Sequence, residues 1–97
     1  MLIVQRTYTP KPGGGGLVGL LKAVSQKTIE AGFPEVKVYR KFLGLHGIIV
    51  TTQEWESIEV YNNSRNMVRQ TTEITSIFDQ IYPFLDSTHV TEILESV

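Results

Sequence analysis

The side chains in this sequence that could do chemistry are few and scattered. Arg6 and Tyr8 stand two residues apart. On an extended strand that spacing puts both on one face, where a guanidinium and a phenol could hold an anionic or quinone-like ligand. An inter-strand or inter-subunit hydrogen bond is the preferred reading, because polar groups most often satisfy one another. Arg40 follows Val36 and Val38 at the same alternation. It could enter a cavity, but a stem buried along the sheet and a head in solvent is favoured. His46 lies between Gly44 and Gly47. A near-neutral pKa makes it a candidate general base, yet no acid is adjacent in sequence, so a solvated turn histidine is favoured. The same reasoning applies to His89. Trp55 could gate a cavity or stack on an aromatic ligand; at a strand–helix junction, burial in the core is preferred. Glu54, Glu56 and Glu59 could pass for paired catalytic carboxylates, but negative charge at a helix start explains Glu56 and Glu59.

Absences narrow the field. The chain has no cysteine, which excludes disulfides, thiolate nucleophiles and Cys-based zinc or iron–sulfur sites. Two isolated histidines offer no metal-ligand spacing. Net charge is -1, with Lys and Arg scattered rather than striped, so no nucleic-acid partner is expected. Gly13 to Gly16 precede a helical stretch, but the phosphate-loop motif of Gly, four residues, then Gly-Lys-Ser/Thr is absent; a plain connection is the reading. The apolar start MLIV is too short for a signal peptide, and no stretch approaches the roughly 20 residues of a membrane span. A cytoplasmic protein with no cofactor and no membrane contact is expected.

Those side chains need elements to position them, and the hydrophobic pattern supplies these. Leu2 to Thr9 reads as a strand, with Leu2, Val4, Arg6 and Tyr8 on one face and Ile3, Gln5 and Thr7 on the other. Pro10 and Pro12 end it. Leu17, Leu20, Leu21, Val24 and Thr28 recur at helical spacing, Ala31 closes the stripe, and Gly32 and Pro34 stop it. The stretch from Val36 to Tyr61 organises the rest. It reads as a strand carrying Val36, Val38, Tyr39 and Phe42, a loop holding Gly44 and Gly47, a second strand from Ile48 to Thr52, then a helix start. Two hairpin registers fit, pairing Phe42 with Ile48 or with Gly47, and they put opposite faces of the second strand beside Val38. Glu56 is read as the helix cap, with Trp55 and Val60 as a hydrophobic staple. In the helix that follows, Ile58, Tyr61 and Val68 turn inward, and Arg65 and Arg69 lie one turn apart. Thr71-Thr72 marks a break. Ile74, Ile77, Phe78, Ile81 and Leu85 form the cleanest helical stripe; Pro83 falls inside it, so the regular helix is expected to stop near Tyr82, with Phe84 and Leu85 packing from a turn. His89 to Val97 reads as the last strand.

The order β-α-β-β-α-β over residues 1–97 makes one α+β domain of the ferredoxin-like plan, a four-stranded antiparallel sheet with both helices on one face. Its usual strand order, 4-1-3-2, puts the strand bearing Lys37 and Lys41 at an edge, where lysine guards against mispairing. The uncovered face keeps apolar residues, Ile48 and Val50 or Ile49 by register. A homodimer through that face, related by a two-fold axis, is therefore expected.

The run from Arg6 to Gly13, RTYTPKPG, is similar to the N-terminal strand and turn of NIPSNAP-like members of the dimeric α+β barrel superfamily. Trp55-Glu56-Ser57-Ile58-Glu59 resembles their aromatic, acidic, Ser-Leu-Glu helix start. The chain departs from that pattern in its four-glycine run and at Gln5, where an apolar residue is usual. The resemblance implies a homodimer whose sheets form a barrel with a small internal cavity. Relatives include cofactor-free monooxygenases, haem-degrading enzymes and stress-response proteins. Haem-binding relatives use a helical histidine, and none falls between Glu56 and Leu85, so haem is not expected. The expected function is binding of a small apolar or aromatic molecule in the barrel cavity, with Arg6, Tyr8, Arg40 and His46 as candidate ligand contacts. A cofactor-free monooxygenase or isomerase acting on an aromatic, polyketide-like substrate is the alternative. It ranks second because the predicted sheet offers no base within reach of a substrate proton.

Overall fold

Two long strands with alternating burial form the centre of the molecule. In β1 (Leu2–Tyr8) Val4 and Tyr8 are sealed from solvent, and in β3 (Ile49–Trp55) Ile49, Thr51, Gln53 and Trp55 are buried while the residues between them are not. The computed structural model describes residues 1–12, 15–45 and 47–97. The remaining elements are α1 (Leu17–Glu30), β2 (Lys37–Arg40), α2 (Ile58–Gln70), α3 (Thr72–Ile81), a 3-10 turn (Tyr82–Phe84) and β4 (Val90–Glu95). The strands make one antiparallel sheet in the order β2-β3-β1-β4, the expected 4-1-3-2 read from the other edge.

Pairing of Tyr39 with Val50 and of Arg40 with Ile49 selects one of the two hairpin registers, the one that aligns Phe42 with Gly47. The ladder stops at Arg40, however. Phe42, expected in the strand, sits in the loop with its side chain 97% exposed. Val38 therefore lies beside Thr51 and Ile49 on the helix-covered face, and Val50 joins Ile3, Gln5 and Thr7 on the open face. Tyr39 of β2 and Val90 and Leu94 of β4 complete the apolar part of that open face.

Helix α1 packs through Leu17, Leu21, Val24 and Thr28. Thr28 satisfies its hydroxyl on the Val24 carbonyl at 2.7 Å, which is how a polar side chain stays buried in the stripe. Ala31 is the C-terminal cap and is exposed, so it does not extend the stripe. The start of α2 differs from expectation. Ser57 is the cap, its hydroxyl accepting from the Val60 amide at 3.3 Å, and Glu56 lies one residue outside. The staple does not form, because Trp55 is buried against Phe33 and Tyr61 while Val60 is exposed. Ile58 is also exposed; α2 buries only Tyr61 and Ser64. The break falls at Thr71, whose extended backbone (φ -84, ψ 94) separates α2 from α3. Ile74 and Ile81 of α3 and Leu85 beyond the 3-10 turn are buried, and Ile77 and Phe78 pack against the same core.

The core has two parts. Tyr8, Leu17, Leu21, Val24, Ile49, Ile81 and Leu85 form one, and Val4, Trp55 and Tyr61 form the other. Arg6 stands between Val4 and Tyr8 on β1, where neither apolar cluster closes.

Candidate functional site

A hollow of about 290 Å³ opens in that gap, between the helix-facing side of the sheet and helices α2 and α3. Arg6 enters it from β1, Gln53 and Trp55 from β3, Tyr61, Arg65 and Arg69 from α2, Phe78, Asp79 and Tyr82 from α3 and its 3-10 extension, and His89 from the start of β4. The alternation of β1 puts Arg6 on the same face as the two buried core residues, so its charge has to be met inside the molecule. One guanidinium nitrogen donates to the Tyr61 hydroxyl at 3.2 Å. On the next turn of α2, the Arg65 guanidinium lies 5.5 Å from the centre of the Tyr61 ring, a cation–π contact. Gln53 is held by donating to the Pro34 carbonyl at 2.8 Å. Three cationic side chains face one carboxylate, Asp79, so the hollow favours an anion.

His89 is half-buried among aromatic rings. Its centroid lies 5.2 Å from that of Tyr8, 6.4 Å from Phe78 and 6.3 Å from Tyr82, whose plane is within 6° of parallel. Burial holds its pKa below 6.5, and the Arg6 and Arg65 charges push the same way. The ring is therefore neutral at pH 7. Its Nδ1 is shielded from solvent and has no hydrogen-bond partner; Trp55 Nε1 is the other such side-chain atom among the described residues. A neutral imidazole offers one donor and one acceptor nitrogen, so His89 can exchange a hydrogen bond or a proton with a guest.

The sequence candidates are distributed unevenly. Arg6 lines the hollow. Tyr8 shares its face but is sealed in the core, 1% exposed, behind the His89 ring rather than in the lining of the hollow. Burial raises the pKa of its phenol, against an opposing pull from Arg6. Arg40 is exposed on the edge strand β2 and takes no part in the hollow. His46, like Gly13 and Gly14 of the glycine run, lies outside the described residues. Tyr61, Arg65 and Arg69 are spaced one turn apart in sequence, and so are Phe78 and Tyr82; those intervals were the available signal for a shared face. His89 carried no local signal at all, since its neighbours come from β1, α2 and α3. Among the described residues, no three His, Asp or Glu side chains gather as a metal site would require. No helix among them is long and apolar enough to cross a membrane.

This arrangement of elements has close structural counterparts. A NIPSNAP family protein of unknown function from Agrobacterium tumefaciens superposes with a TM-score of 0.82 at 15% identity, covering 99% of this chain and 87% of that one. The chain has the α+β fold of that protein, a four-stranded antiparallel sheet with its helices on one face. A NIPSNAP domain protein from Burkholderia xenovorans matches this fold with a TM-score of 0.78 at 17% identity, over 100% of this chain and 95% of the other. An antibiotic biosynthesis monooxygenase shares the fold too, with a TM-score of 0.79 at 16% identity over 100% and 99%. No protein-family model matches the chain, and no curated protein matches it in sequence. The likeness to these structures is therefore one of fold.

Proposed function

We propose that this chain is a homodimeric domain that binds a small, planar, anionic aromatic molecule in the hollow between its sheet and helices α2 and α3. The observation that carries the reading is the convergence of Arg6 and Arg65 with the rings of Phe78, Tyr82 and His89 around one space of about 290 Å³. That volume is near the lower end for small-molecule sites, about 300–1,000 Å³. Guanidinium groups pair with carboxylate, phenolate or enolate oxygens, and the rings give an apolar guest surfaces to stack on. The homodimer part of the proposal is supported by Ile3, Tyr39, Val50, Val90 and Leu94, which share the sheet face that no helix covers. A second copy would remove that apolar surface from water.

Trp55 is the only tryptophan and lines the hollow, so its fluorescence reports on occupancy. Titration with a hydroxynaphthoquinone anion is expected to quench it saturably. Arg6→Gln is expected to weaken binding about tenfold, the worth of a hydrogen bond to a charged group. Equal affinity in the two proteins would refute the assignment.

One observation favours a second reading, cofactor-free oxygenation. Neutral His89, which lines the hollow and has an unpartnered Nδ1, can take the proton that converts a phenol or anthrone to its anion. Anthrone and dioxygen then yield anthraquinone and water. Oxygen uptake with anthrone that disappears in His89→Asn supports this reading, and uptake unchanged by that substitution sinks it.

A further inference from the structure

The loop between β2 and β3 presents three bulky apolar side chains to water: Phe42 is 97% exposed, Leu43 85% and Leu45 73%. Gly44 shapes this convex tip with φ +114, a backbone conformation that side-chain-bearing residues rarely adopt. Apolar groups held out on a turn gain stability only when something covers them. The tip is also cationic. From Val36 to Gln53 the sequence has Lys37, Arg40 and Lys41 and no acidic residue.

At the far end of β3 lies the complementary surface. A second, open hollow of about 480 Å³ is walled by Phe33, Trp55, Val60 and Met67 and rimmed by Glu54 and Glu56, with no cationic residue in its lining. Val60 and Met67 are 43% and 59% exposed there. The chain cannot fill its own groove with its own tip, because β3 runs from one to the other (Ile49–Trp55), a length of about 20 Å.

We propose that the Phe42–Leu45 tip of one copy seats in the Trp55 groove of a second copy. The proposal rests on the homodimer reading and deepens it by naming a contact outside the sheet face. Between two copies related by a two-fold axis such a contact occurs twice and closes. Lys41 and Arg40 then meet Glu54 and Glu56. A tip-to-tip contact would instead oppose two sets of like charges, and the first hollow, with Arg6, Arg65 and Arg69, repels the tip.

The absence of cysteine permits a direct test. Leu43→Cys and Met67→Cys proteins are mixed and treated with a short bismaleimide. A covalent dimer is expected in the mixture and in neither protein alone. Sedimentation equilibrium is expected to show a dimer dissociation constant raised about tenfold or more in Phe42→Ser/Leu43→Ser, as for loss of central interface anchors. It is also expected to rise in Glu54→Lys/Glu56→Lys and to recover when Arg40→Glu/Lys41→Glu is added. A dimer with no mixed cross-link and no effect of the tip substitutions overturns the tip contact and leaves the sheet-face pairing standing; a monomeric wild-type chain overturns both. Cross-linking of Leu43→Cys with itself, or flotation with phosphatidylserine vesicles that depends on Phe42, assigns the tip elsewhere and also overturns the proposal.

Discussion

The Arg6 guanidinium on β1 donates to the Tyr61 hydroxyl on α2 at 3.2 Å, across 55 residues of sequence. This bond ties Arg6, which stands between the two parts of the core, to Tyr61 of the second part, at the edge of the hollow. Tyr61 in turn stands edge-on to Trp55, with centroids 5.5 Å apart, so one phenol ring joins the sheet, the helix and the wall of the site.

Tyr61→Phe keeps that ring and removes the acceptor. The expected loss of stability is about 1 kcal/mol, the usual net value of one such bond, read from the midpoint of urea denaturation. An unchanged midpoint would mean that water replaces the hydroxyl at no cost.

Stability is expected to fall on acidification because of His89. Its folded pKa is lowered, by burial first and by Arg6 and Arg65 second, from an ordinary value of 6.5. The unfolded chain therefore takes up this proton more readily. The stabilisation is complete above about pH 6.5 and is lost as pH falls through the lower folded value. Thermal midpoints measured between pH 7.5 and pH 5, at roughly half-unit steps, should decline more steeply for the native chain than for His89→Phe. Parallel profiles would contradict the assigned shift.

The cap of α2 can be located by substitution. Ser57→Ala is expected to cost about 1 kcal/mol, since the Ser57 hydroxyl receives the Val60 amide. Glu56→Ala, one residue outside the cap, is expected to change stability by no more than about 0.5 kcal/mol. Equal effects at the two positions would return the cap to Glu56.

Ile81 is fully buried and Ile58 is 39% exposed, although both occupy positions that read as apolar stripes. Ile81→Ala is expected to cost about 2–5 kcal/mol. Ile58→Ala should lie within about 0.5 kcal/mol. Comparable losses would show that α2 packs through Ile58 after all.

What the sequence by itself determined is the part of the fold written in short-range periods. The stripe of Ile74, Ile77, Phe78, Ile81 and Leu85, the proline stop within it, the break at Thr71 and the alternation of β1 depend on neighbours within a turn or two, so residue types sufficed. Element order and strand order followed. The cap was misplaced because Glu56 and Ser57 both suit a helix start, and the local backbone conformation decides between them. The tertiary structure alone decided the hairpin register, and with it the face that carries Val50. It also decided the site. Arg6 and His89 are separated by most of the chain, and no local pattern links them; pairing of β1 with β4 and the seating of α2 and α3 over the sheet bring them to one hollow. The reason is physical: a period records which side of an element is buried, whereas a binding site depends on which buried sides meet.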